Sequence, residues 1–242
     1  MAKQLTVNGP ADVLRMDDET VYRNTIARMF KSGFFEAFSK VHPIVPALIF
    51  VPIMLWALVS GTQALGLLVI PAVLGGLFFW TITEYVLHRF LFHIAPTNLL
   101  SRIIYVYLHG IHHHYPDDHF RLVMVPAVSL PLALMFWSLF AAVLPATWVA
   151  GAFAGLAIGY LAYDYCHLAT HHIKIPRGAW AKPLAAVLSG QRKRHLRHHF
   201  GNHDYGFGVS TGLWDHVFGT VDPEAAGAAV TPTGNDKDRA AA

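Results

Sequence analysis

No Asp, Glu, Lys or Arg occurs from Val41 to Thr83, nor from Leu122 to Tyr163. A chain leaves so long a stretch uncharged when that stretch is removed from water, and about 20 apolar residues suffice for one crossing of a bilayer core. Each block is two crossings long. Gly61-Thr62-Gln63 interrupts the first near its middle and Pro145-Ala146-Thr147 the second; both are turn-forming combinations. The pattern predicts an all-α integral-membrane protein with four transmembrane helices in two hairpins. They fall at about Pro43 to Ser60, Leu65 to Leu87, Leu122 to Leu144 and Trp148 to His167.

Composition supports a membrane class: 14% of the 242 residues are charged, against about 25% in soluble proteins. All 18 Lys and Arg fall before the first block, between Arg89 and Arg121, or after the second, and none in the two short turns. By the positive-inside rule, both termini and the middle segment face the cytoplasm. The net charge of +3 is then explained by orientation and by anionic headgroups, and no nucleic-acid signal remains. The first forty residues hold no apolar run with a cleavage site, so no removable signal peptide is expected. Cys166, without a second cysteine, excludes an internal disulfide and is assigned to packing in the fourth helix.

Around the membrane domain, residues 43–220, lie two flanking segments. In the cytosolic segment 1–42, Tyr22, Ile26, Met29, Phe30, Phe34 and Phe38 recur at helical spacing. They predict an amphipathic helix that lies in the membrane interface or packs on the cytosolic part of the protein. Residues 221–242 are rich in Ala, Gly, Thr and Pro and are expected to form a disordered tail.

Of the 16 histidines, ten fall in four clusters: His88 and His93; His109, His112 and His113; His167 and His171; His195, His198 and His199. Residues three and four apart share one face of an α-helix, so the last three clusters each direct imidazoles to one side. His88 and His93 are five apart, about 140° on a straight helix, which implies that the helix bends or ends between them. In the predicted topology, every cluster reaches the same cytosolic membrane face. Ten imidazoles exceed what one ion holds, and two-metal sites place ions about 3.5 to 4 Å apart, so five ligands per ion is the natural division. His42, His114, His119, His172, His203 and His216 lie outside this spacing and read as structural or surface residues.

Ligating histidines usually give their other ring nitrogen to a carboxylate or carbonyl. Glu84, one turn before His88, and Asp164, three residues before His167, are candidates to receive it; Asp204 and Asp215 are weaker ones. Tyr115, Tyr163, Tyr165 and Trp214 are candidates to line a lateral entrance to the site from the bilayer, or are interfacial aromatics.

Read together, Glu84-Tyr-Val-Leu-His-Arg-Phe-Leu-Phe-His93, Leu108-His-Gly-Ile-His-His-His-Tyr-Pro116 and Arg121-Leu-Val-Met-Val-Pro126 resemble the fatty acid hydroxylase superfamily, in its ceramide fatty acid 2-hydroxylase branch. So do Tyr163-Asp-Tyr-Cys-His167 with His171-His172, His195-Leu-Arg-His-His199, Gly206-Phe-Gly-Val-Ser210, Trp214-Asp215 and Val217-Phe-Gly-Thr220. The resemblance implies four transmembrane helices under a cytosolic helical cap, a dimetal site of the ten histidines, and oxygen insertion beside the carbonyl of a sphingolipid or other acyl lipid. Two departures stand out. The residues before the first helix are too few for the haem-binding domain that eukaryotic members often carry, so a separate electron-donor protein is expected. His216 stands where related sequences tend to be acidic.

Oxygen insertion needs a metal that changes oxidation state, which zinc cannot do; iron is expected in the active enzyme and zinc is possible in a purified sample. Two rivals share parts of the pattern: an acyl-lipid desaturase, and a metal transporter, which would instead carry ionisable groups near the bilayer midplane.

Overall fold

The computed structural model describes residues 21–175 and 181–224, and no strand occurs among them. Beyond Glu224 the expected tail lies outside the described residues. Helix α1 covers Gly33–Ala37, α2 Val45–Leu65 and α3 Val69–Val86. Next come α4, Leu99–Tyr105, and α5, Ile111–His114. They are followed by α6, Pro126–Val143, α7, Ala146–His172, α8, Lys182–Phe200, and α9, Leu213–Val217.

Three helical runs are long and apolar enough to cross a membrane by length and composition: Val45–Phe92 with 48 residues, His119–Val143 with 25 and Ala146–His172 with 27. The first covers both of the first two expected spans. Its interruption is not at Gly61-Thr62-Gln63, which stays helical, with the Thr62 hydroxyl donating to the Leu58 carbonyl at 2.8 Å. The turn comes at Gly66, whose φ of +58° suits a residue without Cβ. Gly61 serves packing instead: a Cβ there would lie 2.8 Å from the Gly151 nitrogen. The break at Pro145 falls where expected, between α6 and α7.

Helix α7 is the hub, and its sequence explains why. Gly151, Gly155 and Gly159 recur every four residues and so form one smooth stripe, the small-residue arrangement that lets apolar helices approach closely. A Cβ on Gly155 would meet the Val73 carbonyl oxygen at 2.0 Å, and one on Gly159 the Trp80 ring at 2.5 Å. Along α7, α3 therefore runs in the same direction, whereas Gly61 on Gly151 and Phe50 on Tyr160, with ring centroids 4.6 Å apart, show α2 running the opposite way. The outer faces of α2, α3 and α6 leave large apolar groups uncovered, Leu48 at 65%, Leu74 at 59% and Leu134 at 67% exposure among them, as lipid-facing surfaces do. Gly155→Ala is expected to push α3 off α7 and to cost about 1–3 kcal/mol. A lower unfolding temperature in detergent checks this, and an unchanged one would contradict the packing.

The N-terminal segment differs from the expected helix. Among the described residues before α2, only Gly33–Ala37 form a helix, and residues 21–32 cross the cap as an irregular strap. Buried side chains claim the strap's backbone donors: Glu36 accepts from the Met29 and Phe30 amides at 2.9 and 3.0 Å, and Asp118 from the Ala27 amide at 3.1 Å. Arg121, with its side chain 1% exposed, pairs with Glu36 at 2.7 Å and Asp118 at 3.3 Å. The apolar periodicity is thus divided: Ala27 and Met29 are buried against Tyr115 and Ile111, while Phe34, Phe35 and Phe38 stay exposed.

Candidate metal centre

Helix α3 runs on as a π-helix, Leu87–Phe92, and the His93 amide donates to the His88 carbonyl, five residues back, at 3.1 Å. A π turn widens the repeat to i→i+5, so histidines five apart come to lie above one another; of the two expectations, a bend or an end, the helix ends at Phe92, just before His93. Their ring centroids are 5.0 Å apart. A second π-helix, Val106–Gly110, carries His109 into α5.

The ten clustered histidines gather into one layer as two sets of five, eight of them buried and His93 and His171 half-buried. His88, His93, His109, His113 and His198 form the first, and His112, His167, His171, His195 and His199 the second. Within each set the available nitrogens all lie within 4.8 Å of one another, a grouping that can hold a metal ion. The triplets do not act as single units, contrary to the reading that each faces one side as a block. His109 and His113, four apart, serve the first set while His112 turns to the second; His195 and His199 serve the second while His198 turns to the first. The sets touch where the His113 and His199 rings stack at 4.0 Å.

Nitrogen faces nitrogen across both sets. The Nε2 atoms of His88 and His109 are 3.0 Å apart, and those of His93 and His198, His112 and His167, and His171 and His195 are each 2.9 Å apart. Burial pushes His93, His109, His112, His113, His195, His198 and His199 well below the ordinary histidine value, and neighbouring imidazoles push the same way. All are then neutral at pH 7, the form that binds metal. Neutral rings with converging lone pairs and no carboxylate in either set are the donor arrangement of an imidazole-bound transition metal, so the residues present fit a pair of such ions.

Neither expected carboxylate receives a histidine. His88 Nδ1–H donates to the Phe207 carbonyl at 2.5 Å, and His198 Nδ1–H to the Tyr205 carbonyl at 2.8 Å. Glu84 accepts from the Val209 and Ser210 amides, both at 2.7 Å, and from the Ser210 hydroxyl. Asp164 accepts from the Met124 amide at 3.3 Å. Asp215, the weaker candidate, holds the Phe207 and Gly208 amides, both at 2.9 Å. Residue-type reasoning missed the loop carbonyls, because any residue carries one; the quoted Gly206-Phe-Gly-Val-Ser210 was the available signal. His203, set aside by spacing, lies with its ring 5.0 Å from that of His113.

The four aromatic candidates divide as well. Tyr115 is buried and stacked on Tyr22 at 4.9 Å, Tyr165 donates its hydroxyl to the Pro43 carbonyl at 2.9 Å, and Trp214 Nε1–H donates to Thr81 Oγ1 at 3.0 Å. Tyr163 alone shares a cavity with the histidines, lined also by His109, His167, Met124 and Phe92.

Fold and site together define an all-helical protein with membrane-length apolar helices capped by a paired histidine centre. The family model for fatty acid hydroxylase matches residues 73–220, and the chain belongs to that family. It is 36% identical over 197 residues to a dihydroceramide fatty acyl 2-hydroxylase of Arabidopsis thaliana, covering 80% of this chain and 79% of the relative. To the ceramide very long chain fatty acid hydroxylase of Saccharomyces cerevisiae it is 43% identical over 154 residues, 62% of this chain but only 38% of the yeast protein. A solved structure of full-length scs7p, with only the hydroxylase domain visible, superposes with a TM-score of 0.75 at 31% identity, covering 91% of this chain and 84% of that one.

Proposed function

We propose that this protein hydroxylates the acyl chain of a lipid, at the carbon beside the carbonyl, on a sphingolipid or other acyl lipid. One observation carries the reading: two adjoining sets of five imidazoles, eight of the ten buried, gather where apolar helices end at Phe92 and His172, in a chain of the fatty acid hydroxylase family. The plant and yeast relatives are named as 2-hydroxylase and hydroxylase of ceramide-type acyl groups, which favours hydroxylation over desaturation or metal transport.

In this reading His88, His93, His109, His113 and His198 hold one ion and His112, His167, His171, His195 and His199 the other. When bound, a pair of iron ions supplies the redox chemistry that dioxygen activation requires. The chain's own contribution is to keep the imidazoles neutral, to fix their directions and to exclude water. The small cavity beside His109 and His167 is lined by Tyr163, Met124 and Phe92 and also by Arg121 and Asp164, and it shares Met124 with an apolar cavity lined by Phe50, Trp80, Phe136 and Phe153, which supports an approach for an acyl chain from the membrane side. Glu84 and Asp164 stand behind the centre, Glu84 through the loop that faces His88.

The reading includes four membrane spans in two hairpins, with the reversal at Gly66 supporting two crossings within Val45–Phe92. It also includes a cytoplasmic histidine site and termini, supported by the distribution of Lys and Arg, and a separate protein that donates electrons. Expressing the chain in a host without 2-hydroxylated lipids and analysing total lipids by mass spectrometry tests the reaction. Acyl chains 16 mass units heavier, fragmenting as 2-hydroxy acids, are expected; double bonds without added oxygen would assign the protein to desaturation.

A further inference from the structure

The two histidine sets match in number but differ in what stands behind them. In the first, His88 and His198 both donate from Nδ1 to carbonyls of one loop, at Phe207 and Tyr205, so both rings present a bare Nε2. That loop is itself held. Glu84 and Asp215, each 2% exposed, accept the amides of Val209 and Ser210 and of Phe207 and Gly208 respectively. Its glycines allow one path: Gly206 sits at φ +75°, and a Cβ on Gly208 would lie 1.9 Å from the Thr211 carbonyl oxygen. In the second set, the Nδ1 atoms of His112, His195 and His199 are buried and have no hydrogen-bond partner among the described residues, against one such ring nitrogen, His113 Nε2, in the first. A ring unpaired at its rear nitrogen is free to change tautomer, and in the wrong tautomer its inward nitrogen carries a proton instead of a lone pair. Rear partners of this kind change metal affinity about 10- to 100-fold.

We infer that the two metal positions are unequal: the ion at His88, His93, His109, His113 and His198 is held more tightly and fills first. The loop 205–210, braced by Glu84 and Asp215, is the device that makes it so. Glu84 and Asp215 are positioning residues, acting through the loop on His88 and His198. The inference rests on the proposed ligand role of the ten histidines and adds an order of loading to it.

The test uses the full chain purified in detergent, loaded with zinc ions as a redox-inert probe and chased with a chromogenic chelator. Release in two phases of one ion per chain is expected, the slower by about 10- to 100-fold. His195→Ala should delete the fast phase and His198→Ala the slow one. Asp215→Asn should accelerate the slow phase about tenfold or more and leave the fast phase alone; Glu84→Gln, which perturbs the same loop from α3, should do the same. Circular dichroism and unfolding temperature identify any variant that has lost its fold, and the comparison then rests on the other. Both ions leaving the wild-type chain at one rate overturns the inequality, as does acceleration confined to the fast phase in folded Asp215→Asn. A chain that binds no zinc, or keeps two ions in both histidine variants, overturns the ligand assignment and this inference with it.

Discussion

Replacing His112 with alanine is expected to lower lipid hydroxylation more than about 100-fold and to remove one of two ions per chain. The magnitude follows from comparison: outer partners of a metal-bound histidine are worth about 10- to 100-fold, and loss of a direct ligand should exceed the upper end. His112 is 1% exposed, its Nε2 is 2.9 Å from that of His167, and its ring lies 4.5 Å from that of His199. An alanine there takes one of five nitrogens from the second set and leaves a space that no described carboxylate fills. His216, exposed on α9 and outside both sets, is the control, and His216→Ala should keep both ions and full activity. Metal analysis and product quantification on the same preparations decide the matter. Two ions and undiminished product in folded His112→Ala would remove the second set from the centre.

The sequence carried the centre further than it carried the fold. Ten histidines at spacings of three to five residues identify the rings because helical periodicity is local, and the family motifs sharpened the choice. Their division into fives was arithmetic on ligand number. Which ring serves which set depends on how helices face one another, so His112 and His198 part from their neighbours for reasons no spacing displays. The π turns that align His88 with His93 likewise have no composition signal. Uncharged blocks announced the apolar helices, yet Gly61 was read as a turn when it is a contact with Gly151, since a glycine serves either purpose. The amphipathic pattern of 22–38 misled because Glu36, Asp118 and Arg121 meet across a long sequence separation and draw the strap's amides away from a helix. Glu84 and Asp164 were expected to touch histidines directly; Glu84 reaches them through a loop whose working groups are backbone carbonyls.

Acidification should strip the ions and unfold the cap between about pH 6.5 and pH 5, and the sign follows from burial. Seven histidines outside the apolar helical runs, including His109, His195 and His198, are pushed below their ordinary value by burial first and by neighbouring rings second. Above an unperturbed histidine value of about 6.5, the folded and unfolded chains are both neutral at these positions and pH changes nothing. Below it, the unfolded chain takes up protons that the buried rings refuse, so stability falls as pH falls, by about 1.4 kcal/mol per pH unit for each histidine. Bound ions steepen the loss, because a proton on Nε2 competes for the same lone pair. A few such histidines acting together match the whole stability of an ordinary domain, about 5–15 kcal/mol. Unfolding temperature and ion content should be level from pH 8 to pH 7 and then fall together. Added metal should move the midpoint to lower pH, since an ion that binds only the folded chain stabilises it by about 4 kcal/mol at a thousandfold excess over its Kd. Ions retained and an unfolding temperature unchanged at pH 5 would mean that these rings are neither buried neutral nor bound to metal through their free nitrogens.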